Sequence, residues 1–459
     1  MAKTLTVWNP EDVASWEKGD KSIAKRNLWI SIPALFLAFA VWMVWSVVVV
    51  NFPKAGFNFT TEQLFWLTAL PGLSGATLRI FYSFMVPVFG GRRWTALSTA
   101  SLLLPAIGIG VAIQDPSTPY SVFLILALLC GFGGGNFASS MANIAYFYPK
   151  KEKGNALALN AGLGNLGVSA VQFLVPVVIA SGLLGVLGGN AQEWEADGKS
   201  GQLWLQNAGY VWVPFIALST VAAWFCMNDI ADAKASISSQ MVIFKRKHNW
   251  IMCILYVGTF GSFIGFSAGF PLLAKTMFPA ENSLSLAFIG PLVGALTRAG
   301  TGWVSDKFGG GRVTLWVFVV LALGALGVLY FLVNKDQPYA FWGFFGMFIL
   351  LFAATGVGNA STFQMIPVIC TTDRQRALSA TEASKEDVRK AAERESAAII
   401  GFSSAIGAFG AFFVPKSYGT SIAVTGEPNA ALVVFTVYYM ICLVLTWWYY
   451  TRTKAEISC

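Results

Sequence analysis

Gly75-Ala76-Thr77-Leu78-Arg79, with Phe89-Gly90-Gly91-Arg92-Arg93 beginning ten residues after the arginine, has a second copy in this chain. A shift of 219 lays Gly75-Ala76-x-x-Arg79 on Gly294-Ala295-x-x-Arg298, Phe89-Gly90-Gly91 on Phe308-Gly309-Gly310, and Arg93 on Arg312. Gly135-Asn136 meets Gly358-Asn359 at a shift of 223, and Phe173-Leu174-Val175-Pro176 meets Phe412-Phe413-Val414-Pro415 at 239. The matches keep their order and the growing shifts read as loop insertions. The chain is two related halves, and repeats on this scale are how transporters build two bundles around a midplane site.

The composition around the repeat is that of a membrane protein. Of 459 residues, 56% are hydrophobic and 12% charged, and the mean hydropathy is +0.61. Soluble domains carry roughly 25% charged residues. A soluble enzyme, a disordered chain and a nucleic-acid binder are excluded, and the single histidine removes most soluble catalytic and metal sites. Twelve stretches approach the ~20 apolar residues that cross a bilayer. They lie near 28–50, 64–89, 94–114, 119–147, 155–188, 208–227, 249–277, 283–305, 313–333, 339–370, 395–424 and 430–450. The runs are continuous rather than alternating, which excludes a closed barrel. The expectation is an all-α polytopic membrane protein with twelve transmembrane helices in two pseudo-symmetric six-helix bundles. Residues 1–27 form a tail, 28–227 the first bundle, 228–248 a linker, 249–450 the second bundle and 451–459 a second tail. The segment before Asn27 is polar and leads to no cleavage site, so the first span is expected to stay as an anchor.

Basic residues set the sidedness. With both termini cytoplasmic, 24 of the 31 Lys and Arg fall inside and 5 outside, and the remaining two, Arg79 and Arg298, fall within spans. That asymmetry selects this orientation. The formal charge of +8 is thus a topology signal. The six cysteines have no metal spacing and read as packing residues.

Each intramembrane arginine stands ten residues before the loop phenylalanine, or about 15 Å along a helix, which is mid-bilayer. An arginine there costs on the order of 2.5–3.5 kcal/mol on the mildest scale, and it does not neutralise. All 23 Asp and Glu lie in loops, tails or span ends. Two positive charges without a countercharge point to an anion site, and two planar forks suit a small planar oxyanion. Gly75 and Ser83 flank Arg79, and Gly294 and Gly302 flank Arg298, which reads as room for a ligand. The competing use of each guanidinium is donation to backbone carbonyls between helices.

Span five holds Asn160-Ala161-Gly162-Leu163-Gly164-Asn165-Leu166-Gly167, and span eleven Gly401-Phe402-Ser403-Ser404-Ala405-Ile406-Gly407-Ala408-Phe409-Gly410. A shift of 239 puts Gly162 on Gly401 and Asn165 on Ser404. Close helix packing accounts for such small residues without a function. Asn165 is a costly mid-span amide, bonded either across helices or to a ligand.

The 6+6 repeat with Gly-Gly-x-Arg loops resembles the major facilitator superfamily, most closely in Ser305-Asp306-Lys307-Phe308-Gly309-Gly310-Gly311-Arg312. In the first half Pro87 replaces the usual Asp, which weakens a gating ion pair there. The two glycine-rich segments resemble the signature segments of the nitrate/nitrite porter (NarK-type) family. So do Arg26-Asn27-Leu28-Trp29-Ile30-Ser31, Gly56-Phe57-Asn58-Phe59-Thr60-Thr61, Ser83-Phe84-Met85-Val86-Pro87, Asn136-Phe137-Ala138-Ser139-Ser140-Met141 and Thr259-Phe260-Gly261-Ser262-Phe263-Ile264-Gly265-Phe266. The resemblance covers nearly the whole chain. It implies a substrate sandwiched between Arg79 and Arg298, aromatic contacts at Phe137, Tyr256 and Phe260, and polar contacts at Asn165 and Ser404. It also implies a conformational glycine signature at Gly162, Gly164, Gly167, Gly401, Gly407 and Gly410. Independently, Tyr256, Phe260 and Phe263 share one helical face, which makes either a slot for a planar anion or core packing.

Moving an anion into a negative cell costs about 2.3 kcal/mol per 100 mV. No acid lies mid-span, and His248, at the cytoplasmic end of span seven, reads as a solvated interface residue. The expected function is a transporter that exchanges nitrate for nitrite, a process with no net charge. An empty carrier, with two arginines repelling each other, would be held back. Proton-coupled symport is the alternative, exchange of an organic phosphate a further one, and a non-transporting nitrate-binding receptor the alternative of another class. Expected partners are nitrate, nitrite and the bilayer, with no nucleic acid, no cofactor and no metal. The chain is expected to work as a monomer in the bacterial inner membrane, with both termini cytoplasmic. No nucleophile–base set suggests an enzyme. Residues 381–396 read as a charged cytoplasmic helix with pairs Glu386/Lys390 and Arg389/Glu393. The outer loop 190–207 holds no catalytic constellation. The 17 Trp and 37 Phe are expected mainly at lipid and interface positions.

Overall fold

Twelve helices long and apolar enough to cross a membrane are present in the computed structural model, which describes residues 4–196, 199–231, 241–378, 385–457 and 459. Spans 1 to 6 are Val13–Asn51, Thr61–Tyr82, Gly91–Ala112, Tyr120–Phe147, Lys151–Ile179 and Asn207–Cys226. Spans 7 to 12 are Lys247–Met277, Ser283–Gly300, Gly310–Val333, Ala340–Arg376, Ala398–Thr425 and Asn429–Thr451. The fold is the expected twelve-helix one, though several helices outrun their apolar stretches. Span 1 begins in the polar N-terminal segment, where Trp16 is buried with Phe147 and Tyr148. The helix Lys385–Ala408 leads into span 11, while the side chains of Glu386, Arg389, Lys390 and Glu393 lie outside the described ones.

The chain divides into two compact units. The first is Met1–Ala235 with Ser267–Leu292 and Ala411–Ala423, and the second is Ser236–Phe266, Val293–Gly410 and Val424–Cys459.

In the first unit, spans 1 and 2 pack on span 4, and span 1 also on span 5. Span 2 starts at a capping box in which Thr60 and Gln63 each satisfy the other's backbone N–H. Not all the aromatics face lipid, because Trp42, Trp45, Phe39, Phe52, Phe65 and Phe123 are fully buried. The loop between spans 5 and 6 forms an antiparallel pair, Gln192–Ala196 with Lys199–Leu203. Thr4–Leu5 runs parallel to Asp229–Ile230.

That second pairing brings a carboxylate to the loop that lost its own. Asp229 accepts from the backbone N of Arg92 at 2.9 Å and pairs with its Nε at 3.1 Å. Arg92 Nη1 also donates to the Trp224 carbonyl at 2.9 Å. The residue at position 87 is proline, yet the Gly-Gly-Arg-Arg end is ion-paired, through a residue that follows span 6. Asp229 therefore also serves the N-terminus of span 3, where a negative charge is favourable.

In the second unit, span 9 packs on spans 10 and 12, and span 10 on the helix of span 11. Span 7 carries a π-turn over Val257–Gly261. The repeat is visible in backbone angles as well as letters: the equivalent glycines Gly90 and Gly309 both sit at φ 87° as the residue before spans 3 and 9. A side chain there would be strained.

Candidate functional site

Both arginines occupy the last turn of their helical segment. Arg79 belongs to Thr61–Tyr82, which breaks before Met85–Phe89, and Arg298 belongs to Ile289–Gly300, which breaks at Thr301 before Gly302–Phe308. A helix C-terminus carries partial negative charge. This lowers the cost of burying a guanidinium at these helix ends.

In the first unit Arg79 is fully buried. Its Nε donates to the Gly134 carbonyl at 3.0 Å, and its guanidinium lies 4.8 Å from the Phe137 ring and 5.4 Å from the Trp42 ring. These distances fall within cation–π range. The backbone-carbonyl use is thus realised at Nε. The room read beside Gly75 is already filled: a Cβ on Gly75 would stand 2.6 Å from Trp42 Nε1 and 3.1 Å from the Gly134 Cα. Gly75 has no side chain because span 4 and Trp42 press on it, and this contact brings Gly134 to Arg79. Ser83 turns back to the Ile80 carbonyl.

In the second unit the Arg298 guanidinium lies 5.5 Å from the Phe363 ring, and its Nη1 is buried without a hydrogen-bond acceptor. Gly294 is likewise a packing position, since its Cβ would meet the Phe263 ring at 2.6 Å. Only Gly302 has open space beside it. Tyr256 is stacked between Phe363 at 4.7 Å and 14° and Phe260 at 5.3 Å and 15°. Phe263 continues the stack at 6.4 Å and 29°.

The expected site residues are thus placed unequally. Arg79 meets Phe137 within the first unit, and Arg298 joins Tyr256 and Phe260 through Phe363 in the second. Asn165 in span 5 is buried with neither amide atom hydrogen-bonded, so it makes no bond across helices. Ser404 in span 11 is buried. The signature glycines divide by their surroundings. A Cβ on Gly167 would stand 2.1 Å from the Phe36 carbonyl oxygen, and one on Gly164 would meet Leu35 at 2.6 Å. Gly407 lies on the Tyr256 ring, and Gly410 on the backbone of Gly261. Gly162 and Gly401, equivalent in the repeat, have nothing within 4 Å.

Sequence reasoning missed three contributors. Trp42 and Phe363 are aromatic residues inside apolar spans, which carry no signal of their own. Phe363 was further hidden because the repeat equivalent of Phe137 is Ala360, nearly one turn earlier. The Gly134 carbonyl has no sequence signature. Two expectations need correction. His248 is not solvated but 6% exposed, with Nδ1 2.9 Å from Tyr450 Oη. Cys226 is exposed, whereas Cys130, Cys253, Cys370 and Cys442 are buried as packing residues. Among the described residues no cluster of His, Cys, Asp or Glu is arranged to hold a metal.

Residues 34–381 match the family model described as Major Facilitator Superfamily. The chain is 52% identical to the nitrate/nitrite transporter NarU of Salmonella typhimurium, over 98% of this chain and 97% of that protein. It is 51% identical to NarU of Escherichia coli, over 98% and 96%. It is 41% identical to a probable nitrate/nitrite antiporter, NarK2 of Thermus thermophilus, over 99% and 98%. Among solved structures it is similar to the xylose transporter XylE from E. coli, with a TM-score of 0.64 at 12% identity over 93% of this chain and 99% of the other. The nucleoside transporter NupG matches with a TM-score of 0.60 at 12% identity, over 92% and 98%. At that identity these two bear on the fold alone.

Proposed function

The chain belongs to the nitrate/nitrite porter (NarK-type) family of the major facilitator superfamily, and we propose that it carries nitrate inward in exchange for nitrite by alternating access. Arg79 and Arg298 hold the anion. The observation that carries this reading is the pair of repeat-related arginines, each in the last turn of its helical segment and each against an aromatic face. A planar oxyanion accepts paired N–H donors and lies flat between rings. The buried, unsatisfied Arg298 Nη1 and Asn165 amide support the same reading, because orphaned buried donors are costly unless a ligand meets them.

No acidic residue lies mid-span, so exchange, which moves no net charge, needs no further group. Without an anion the two like charges repel each other, and the carrier does not turn over empty. The protein sits in the bacterial inner membrane with both termini cytoplasmic, the orientation favoured by its basic residues. The test is nitrate uptake into proteoliposomes without a membrane potential. Uptake is expected with nitrite inside and not in empty vesicles. Uptake into empty vesicles under an inward proton gradient would replace exchange with symport.

A further inference from the structure

The cytoplasmic end of span 1 is tied to the segment after span 6 by Arg26, whose Nη2 donates to Asn228 Oδ1 at 2.8 Å. Asn27 adds two bonds to Asn228, one from its Nδ2 at 3.1 Å and one from the Asn228 backbone N at 2.8 Å. A shift of 222 carries Arg26 to His248, Asn27 to Asn249 and Asn228 to Tyr450. The second half repeats the tie, since His248 Nδ1 is 2.9 Å from Tyr450 Oη. One clamp holds a permanent cation. Its counterpart holds the chain's only titratable imidazole.

The segment after span 12 is fastened to this second clamp. Glu456 takes two contacts from Lys247 Nζ, at 2.6 and 2.8 Å, and lies 3.5 Å from His248 Nε2. Ile457 is 1% exposed, and its N donates to the Tyr449 carbonyl at 3.2 Å. Arg376 donates to the Glu456 carbonyl. The Cys459 carbonyl accepts from the backbone N of Gly311 at 3.3 Å, in the first turn of span 9. The segment thus lies as a strap across Gly309–Gly311, with His248 at its root.

The hydrogen-bond roles follow from the partners. Ionised Glu456 only accepts, so it selects the Nε2–H tautomer, and Nδ1 then accepts from the Tyr450 hydroxyl. Tyr450 is fully buried, and among the described residues its hydroxyl has no second partner. A proton added at Nδ1 reverses this bond: the imidazolium N–H donates to Tyr450 Oη, and the buried O–H is left without an acceptor. Glu456 attracts the new charge, but that attraction is set against the burial of the ring and the repulsion of Lys247, which already pairs with the half-exposed carboxylate. Other charges around the ring are Lys247 on its own helix and Asp373 at the end of span 10, paired with Arg246 at 3.3 Å, and the neutral Tyr449 ring lies edge-on at 6.3 Å. The Lys247 bonds hold the Glu456 carboxyl below the usual carboxylate range, so it stays ionised through the imidazole's window.

We propose that residues 452–457, with Cys459, form an acid-released strap over the loop between spans 8 and 9, with His248 as the trigger and Tyr450 as its sensor. The strap is docked at neutral pH and loosens as pH falls through the histidine range. Its placement on the cytoplasmic side rests on the orientation proposed above, but the release does not.

Hydrogen exchange of the full chain in detergent reads the strap without any transport assay. Between pH 7.5 and 5.5, corrected for intrinsic exchange, protection of 452–457 is expected to fall roughly five- to tenfold, the shift carried by one buried hydrogen bond. The segment 227–231, which Arg26 ties in the first half, is expected to keep its protection. His248→Gln keeps an acceptor for Tyr450 without titrating, and Tyr450→Phe removes the hydroxyl. Each is expected to abolish the pH difference. An unchanged wild-type strap, an equal response in 227–231, or a full response surviving in both variants would overturn the proposal.

Discussion

Gly410 lies so close to Gly261 that a Cβ on it would stand 2.2 Å from the Gly261 carbonyl oxygen. Spans 7 and 11 touch there through backbone alone. Gly167 and Phe36 make a similar close contact between spans 5 and 1, where a Cβ on Gly167 would stand 2.1 Å from the Phe36 carbonyl oxygen. Gly410→Ala and Gly167→Ala are each expected to cost about 1–3 kcal/mol, the usual penalty of overpacking. Gly162→Ala and Gly401→Ala meet open space and are expected to leave stability unchanged or slightly raised. Thermal unfolding in detergent, followed by tryptophan fluorescence, separates the two pairs. Equal losses at all four positions would refute the division.

Asn165 presents the opposite case, a buried amide that nothing satisfies. Asn165→Ala is expected to keep or raise the melting temperature, because a desolvated polar group is removed. Nitrite-driven nitrate uptake is expected to fall at least about tenfold, the value of one ligand hydrogen bond to a charged group. A variant that melted early yet transported normally would make Asn165 a structural residue.

Arg79→Lys and Arg298→Lys keep the charge and remove the fork. Lysine cannot bond the Gly134 carbonyl and still offer a planar pair of donors, so exchange is expected to drop by about tenfold or more. Full exchange in either variant would rule out planar recognition and leave only a charge requirement.

Asp229→Ala removes the carboxylate from a pair in which both side chains are under a tenth exposed. Breaking such a pair costs about 3–5 kcal/mol, since Arg92 stays buried without its partner. Asp306, on the equivalent loop of the second half, is exposed and bonded by Gln364, so Asp306→Ala is expected to cost under about 1 kcal/mol. Thermal melts of the two variants in the same detergent compare them directly.

The twelve spans were legible because crossing a bilayer needs long apolar runs, which few other demands on a chain produce. The two arginines were legible because their cost is so high. Asp229 was not, since its partner lies far off in the chain and the local pattern at Pro87 pointed to a missing acid. His248 follows Arg246 and Lys247, which read as a solvated edge, and only the return of Tyr450 and Glu456 buries it. The glycines beside the arginines were legible as small but not as filled, because the filling group, Trp42 for Gly75, comes from another helix. Sequence spacing locates what a residue's own helix does to it. What a distant helix does becomes visible only in the folded chain.

Each arginine ends a helical segment, and each segment breaks within a few residues of it. The same break recurs in both halves, so one local device sets the surroundings of both charges. Arg26 and His248, or Pro87 and Asp306, are where the halves differ, while the charged helix end is common to both.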